Sequence, residues 1–315
     1  MGERHAKFHI GNYTTIIVFV VMCIVAGIVS NKFYTINNIT NVMRQAVPLG
    51  VCSLGVLLVI ITGGIDLSVG SIIALGNISI ALLIPTYGLA LGIGGGVALC
   101  AAMGLVSGLL VTKGNITPFI ATLGMLTIVR GVALILTRGQ PVFIEDDAFI
   151  GFGSENWFIF PKPFVILMLF FILTLVLLRY TVFGRILIAI GSNETAARYA
   201  AMRVNLVKAL AYVYCGLSCG IAAVILSART GVGSPLVAEG FELDAISAVV
   251  VGGASLKGGR GTAINTLLGA LIISMISNIM NLLNIPGYHQ KIVKGLIIVI
   301  AVLAESLQNR KTNRA

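Results

Sequence analysis

The chain has 315 residues, of which 57% are hydrophobic and only 10% charged, and its mean hydropathy is +1.03. Soluble proteins carry roughly 25% charged residues, so this chain cannot cover a water-facing surface: its solvent is lipid, and a sizeable extramembrane domain is excluded. The formal net charge of +10 comes from Lys and Arg in loops beside apolar runs, with no aromatic-and-basic patch, which excludes a nucleic-acid partner and reports membrane orientation instead.

At about 20 residues per crossing, apolar runs predict helices over 14–30, 46–62, 69–86, 89–112, 117–137, 163–179, 207–228, 243–256, 262–283 and 289–307. The expected fold is an all-α integral membrane protein with about ten transmembrane helices and short loops. The first run follows a polar stretch with Arg4 and Lys7, and no small-x-small cleavage site follows it, so it reads as an uncleaved helix and not as a signal peptide. With the N terminus inside, the inner segments hold 13 of the 21 Lys and Arg, the outer segments hold 7, and Arg130 lies within a span. Basic residues concentrate on the cytoplasmic side, so both termini are expected to be cytoplasmic.

Three pairs of glycines at small-xxx-small spacing, Gly92 with Gly96, Gly104 with Gly108 and Gly216 with Gly220, let helix backbones approach closely. Packing within the chain is the favoured reading over contacts between copies. The five cysteines all lie in apolar runs. Cys215 and Cys219 are one turn apart, but no His or carboxylate shares that turn, so they read as small buried hydrophobes and no metal site is expected. The segment Thr62-Gly63-Gly64-Ile65-Asp66-Leu67-Ser68-Val69-Gly70 is echoed by Val251-Gly252-Gly253-Ala254-Ser255-Leu256-Lys257-Gly258-Gly259, a hint of two related halves with broken helices near a transport pathway.

The longest basic inner loop, Arg179 to Lys208, holds Gly191-Ser192-Asn193-Glu194-Thr195-Ala196-Ala197-Arg198-Tyr199-Ala200-Ala201-Met202. Asn193 is a suitable N-cap, and Glu194 in the first turn suits the helix dipole. A short helix of small residues on the cytoplasmic face either seats in a groove of a second, soluble protein or is a solvated amphipathic connector.

That loop resembles the coupling segment of permease subunits in ATP-binding cassette importers of the ribose type, within the branched-chain-amino-acid and ribose permease superfamily. So do four further stretches: Gly64-Ile65-Asp66-Leu67-Ser68-Val69-Gly70-Ser71, Pro118-Phe119-Ile120-Ala121-Thr122-Leu123-Gly124, Gly240-Phe241-Glu242-Leu243-Asp244-Ala245-Ile246 and Gly252-Gly253-Ala254-Ser255-Leu256-Lys257-Gly258-Gly259. Tyr288 to Gly295 resembles the start of the family's last helix. The resemblance implies one transmembrane permease domain over 1–315 in a bacterial inner membrane, with a cytoplasmic coupling segment at about 185–205. Gly191, Asn193, Glu194, Ala196, Ala197 and Ala201 would then be the ATPase-coupling residues. The implied partners are a second permease copy, identical or a close paralogue, two cytoplasmic ATPase domains and an extracytoplasmic sugar-binding protein docking on 138–162 and 229–243. The implied cargo is a monosaccharide or small polyol, carried by alternating access between two permeases. No cofactor is expected on this chain, ATP and Mg being held by partner subunits. Two positions depart from the family, which often has glycine at Ala201 and Asn265. Ala201 is expected to tighten or extend the small helix, and Asn265 to put an amide at lipid depth.

No Gly-x-x-x-x-Gly-Lys-Ser/Thr phosphate loop is present, so the chain is not expected to be an ATPase or any other enzyme. Ser274, Ser277, Asn278 and Asn281 recur at helical spacing on one face of the ninth span. Their uncharged groups suit a neutral polyhydroxylated solute along a pathway, or ordinary hydrogen bonding between helices. Asp66 follows paired glycines at an inner turn, as a helix cap or part of a gate. Arg130, near the outer third of its span, is expected to act as a structural charge, snorkelling or pairing with Glu242 or Asp244. An ion-gradient-driven carrier is the alternative, but it calls for carboxylates at mid-span, and the acidic residues lie at turns and in loops.

Overall fold

Among the described residues, 14–312 of a computed structural model, the chain forms twelve helices and four two-residue strands. Arg4, Lys7 and Arg314, which entered the orientation count, lie outside that range. The apolar α1 (Thr14–Val29) leads to α2 (Ile36–Ile61), which begins well before the predicted 46. Its polar first turns escape a hydropathy window because tertiary partners satisfy them: Thr40 donates to the Ile159 carbonyl at 3.1 Å, and Arg44 to Ser154 at 2.9 Å and Asn156 at 2.8 Å. The centre of α2 is wholly buried at Leu54, Leu57, Leu58, Ile60 and Ile61.

The predicted third and fourth spans are the two arms of α3 (Val69–Thr112), broken at Gly88. With φ 79° and ψ 171°, Gly88 occupies a region open essentially to glycine alone. The arms run antiparallel, since Gly92 meets Ile84, Gly96 meets Ile80 and Gly76 meets Cys100. Next come α4 (Pro118–Thr137), started by a proline whose missing N–H is not needed there, β1 (Val142–Phe143), α5 (Asp147–Ser154), β2 (Asn156–Trp157) and β3 (Phe160–Pro161). Then α6 (Phe164–Tyr180) and α7 (Val182–Ser192) meet at a 70° bend, followed by α8 (Glu194–Tyr199), α9 (Val204–Thr230) and β4 (Val232–Gly233). The chain continues through α10 (Phe241–Val251), α11 (Ala263–Leu282) and α12 (Gly287–Thr312). The predicted span 243–256 is thus a helix of only 11 residues, shorter than a full crossing.

The most extensive helix interface joins α3 to α9. There Gly104 lies against Gly216, Gly108 against Ala209 and Gly220 against Val97, each with backbone where a Cβ would stand. The glycine pairs therefore serve packing within the chain, as expected. Five helices, α2, α3, α4, α9 and α11, are long and apolar enough to cross a membrane, or six if the bent α6–α7 pair counts as one span. Ile128 and Ile135 of α4 and Leu169 and Ile172 of α6 are exposed, an apolar surface that only lipid or a partner covers.

The two echoed segments adopt the same helix end. Gly63 (φ 79°) and Gly253 (φ 84°) are both left-handed, and each closes the same pair of capping bonds. The N–H of Gly63 donates to Ile60 and that of Gly64 to Val59, while Gly253 donates to Val250 and Ala254 to Val249. This 5→2 and 6→1 pattern is a Schellman cap, which glycine favours. The two caps meet at one end of the molecule, where Gly259 N–H donates to the Ile61 carbonyl at 2.8 Å. At the opposite end β1 pairs antiparallel with β4, joining the loops around 142 and 232.

Candidate functional site

The α7–α8 junction is built largely from local sequence. Asn193 leaves the helical region (φ −161°, ψ 99°), and its side-chain oxygen accepts from the Ala196 N–H at 2.9 Å, so α7 stops and α8 starts on one residue. Such a cap contributes about 1 kcal/mol. Glu194 in the first turn accepts from Arg198 at 2.7 Å and from Lys208 of α9 at 3.0 Å, and Arg198 also reaches Asn205 at 3.0 Å. Partial burial pushes the Glu194 carboxyl up, but its bonds to Lys208 and Arg198 outweigh that and hold it below the usual carboxylate range. Glu194 thus straps α8 onto α9.

The six residues singled out from the sequence divide by direction. Ala197 is 3% exposed and points into the core, whereas Thr195, Ala196 and Ala200 face outward around Tyr199, which is 88% exposed. Tyr199 is the residue that sequence reasoning missed; its signal is a lone aromatic in a run of small side chains. Gly191 lies in the last turn of α7 with the Ile61 carbonyl and the Gly259 backbone where its Cβ would be. Three backbone segments meet there: the end of α7, the end of α2 at Ile61 and the loop at Gly259.

Ala201 neither tightens nor extends the helix. α8 ends at Tyr199, and Ala201 stands beyond it at φ 56°, in the left-handed region. That conformation costs a residue with a Cβ roughly 1–2 kcal/mol, which explains why glycine suits the position. Ala201→Gly is therefore expected to stabilise the protein by about 1 kcal/mol, read as a raised thermal unfolding midpoint in detergent with unchanged transport.

Asp66 is wholly buried ahead of α3, where one carboxylate oxygen accepts from the Ser68 N–H at 2.9 Å and the Ser68 hydroxyl at 2.6 Å. The cap position of α3 is Ser68, whose side chain makes no capping bond, so Asp66 orders the turn ahead of the helix and does not cap its first turn as expected. Arg130 donates to the carbonyls of Pro235 and Val237, the latter at 3.0 Å, and braces the loop before α10. The expected pairing with Asp244 does not occur, because Lys294 of α12 takes that carboxylate at 2.6 Å. Among the described residues Arg130 makes no ion pair with Glu242 either, although the two share a cavity.

The polar face predicted on α11 is divided among neighbours. Asn278 exchanges two amide hydrogen bonds with Asn38 of α2, at 2.9 and 3.0 Å, and Asn38 also donates to the Phe33 carbonyl. Asn281 accepts from Gln290 of α12 at 2.8 Å. These two amides knit helices together, the interhelical bonding that the sequence left open beside a pathway role. Ser274 is buried with no hydrogen-bond partner for its hydroxyl, and Ser277 is half-buried. Asn265 is in the first turn of α11, where its N–H donates at 3.2 Å to the hydroxyl of Thr262, the residue that caps the helix start. The cysteines are free, and among the described residues no group of His, Cys, Asp and Glu is arranged to hold a metal ion.

The family model for the branched-chain amino acid transport system permease component matches residues 38–302. The chain belongs to this permease family. It is 39% identical over 311 residues to the ribose import permease protein of Escherichia coli strain K12, covering 97% of both chains. It is 41% identical over 288 residues to the ribose import permease protein of Bacillus subtilis strain 168, covering 90% of this chain and 89% of that one. An L-arabinose ABC transporter permease protein of Azospirillum brasilense is 35% identical over 300 residues, 95% of this chain and 88% of the relative. No solved structure matches. The permease is a ribose-type ABC permease and a multi-pass protein of the bacterial inner membrane.

Proposed function

We propose that the permease is the membrane-spanning subunit of an ATP-binding cassette importer for a monosaccharide or similar small polyol, energised by separate ATPase subunits that hold ATP and Mg. The observation that carries this reading is the outward face of α8: small residues around Tyr199 on a helix capped by Asn193 and strapped to α9 by Glu194. A rigid, shallow surface with one aromatic anchor suits a groove in a partner, since aromatic residues dominate binding energy at interfaces. Motion in the ATPases then passes through Gly191 to the two caps at Gly63 and Gly253. In this reading one transmembrane domain crosses the membrane about ten times, α3 supplying two arms and the short α10 part of one crossing, with both termini cytoplasmic. It pairs with a second permease copy and alternates access between them. The loops joined by β1 and β4 receive the extracytoplasmic sugar-binding protein.

The test is copurification of the permease with its ATPase from lipid nanodiscs, for wild type, Tyr199→Asp and Ala196→Glu. Both substitutions leave the inward Ala197 and the Glu194 strap in place. Loss of the Tyr199 anchor is expected to weaken retention by roughly 30-fold, equivalent to about 2 kcal/mol, while the permease stays monodisperse. Retention of the ATPase equally by all three, or by none, would overturn the coupling role.

A further inference from the structure

Between the first turn of α3, the middle of α4 and the start of α10, one chain forms an open-sided cavity of 310 Å³. Its polar lining is Ser71, Arg130, Glu239 and Glu242, and Leu126 and Leu236 form an apolar wall. Ser71 is 1% exposed, and its hydroxyl has no hydrogen-bond partner. Leaving such a group unmade costs about 1–3 kcal/mol, and each instance in a native structure calls for an explanation. Ser71 is one of the residues that line this cavity.

The other groups are held ready. Arg130 is pinned by the carbonyls of Pro235 and Val237, so its guanidinium is fixed, with the charges of Glu242 and Glu239 acting on it and no contact ion pair among the described residues. Glu242 rests its carboxylate against the bare Cα of Gly70, a position that a Cβ would fill, and no cation lies within ion-pair distance of it among the described residues. A fixed donor, a fixed acceptor and a hydroxyl that does both therefore converge beside an apolar wall. Each hydroxyl of a polyol both donates and accepts, and a sugar's C–H face suits the two leucines. Groups of both signs, Arg130 with Glu239 and Glu242, line the cavity, so hydroxyls can both donate to it and accept from it. The volume falls near the lower end of the roughly 300–1,000 Å³ of small-molecule sites. Glu239 and Gly240 also bound a second cavity of 380 Å³ beside α12, which extends the space toward Gln290 and Lys294.

We propose that this cavity is a binding site for a small neutral polyhydroxylated solute within a single permease chain, a waypoint that rests on the importer reading above. The first arm of α3 and the short α10 start beside it, the geometry in which broken helices present polar groups to cargo inside a membrane.

The test is a saturation-transfer NMR titration of D-ribose and L-arabinose against the permease–ATPase complex in nanodiscs, without binding protein, for wild type, Ser71→Ala and Glu242→Gln. Wild type is expected to bind at least one sugar in a saturable manner, and each substitution to weaken it roughly tenfold, about 1.4 kcal/mol. Removing the unpartnered Ser71 hydroxyl is expected to leave thermal stability unchanged or raised, so lost binding in Ser71→Ala is not misfolding. No saturable binding by wild type, or equal binding by the variants, would overturn the proposal. ATP-driven import by wild type with its binding protein tests the importer reading separately: import without cavity binding sinks only the cavity, and cavity binding without import sinks only the importer.

Discussion

Gly191→Ala is expected to lower stability by about 3 kcal/mol and to abolish ATP-driven import. The added methyl group falls inside the Ile61 carbonyl and against the Gly259 backbone, and neither can swing aside as a side chain does. Overpacking by one methylene typically costs about 1–3 kcal/mol, and the displaced groups include the 2.8 Å hydrogen bond from Gly259 to Ile61, whose loss adds about 1 kcal/mol or more. Transport suffers beyond stability because the same contact joins the end of α7, next to α8, to the end of α2 and the loop at Gly259. Gly124→Ala and Gly131→Ala are the controls, since no atom lies within 4 Å of either added Cβ. Thermal unfolding of the purified permease and sugar uptake into proteoliposomes check both parts. A Gly191→Ala protein as stable and as active as the controls would mean that the three backbones are not tightly joined.

Asn278→Leu is expected to destabilise the permease by about 1–2 kcal/mol, with the Asn38→Leu/Asn278→Leu double variant closer to wild type than the Asn278 single. The reason is asymmetry: one partner removed leaves a buried amide unmade, while both removed leave apolar contact. Asn38 keeps its bond to the Phe33 carbonyl, which limits the loss, and interhelical hydrogen bonds in membranes average only about 0.6 kcal/mol and reach about 1.7. A double-mutant cycle on unfolding free energies measures the coupling. The pathway reading of Asn278 predicts the opposite pattern, with uptake changed and stability untouched in every variant. That outcome would return Asn278 to the translocation route.

Much of the α8 site was legible because its determinants are close in sequence. Asn193 as a cap and Glu194 in the first turn need only local geometry, and both occur as read. Asp66 reads as a cap from the two glycines before it and the helix after it, but it bonds Ser68, the cap residue itself, and no N–H of the first turn. The direction of each small residue was not legible, because a six-residue helix offers too little periodicity to tell the inward Ala197 from the outward Ala196. The start of α2 was missed for a related reason: polar residues read as loop until a partner from elsewhere satisfies them, as Ser154 and Asn156 do for Arg44.

Composition settled the solvent, since so few charges cannot cover a surface in water, and the length of the apolar runs, about 20 residues where a barrel strand needs about 10, settled the helical class. Glycine spacing marked where helices touch, because close approach needs a missing Cβ wherever the neighbour lies. Which helices touch was decided by the fold. Asn38 and Asn278 are 240 positions apart, and Asp244 finds Lys294 at 50, distances at which sequence carries no geometric information. Ala201 in a left-handed conformation and Ser71 with its hydroxyl unmade are likewise products of tertiary packing. Each is a small local conflict with ordinary propensity, tolerated because the surrounding helices hold the backbone in place.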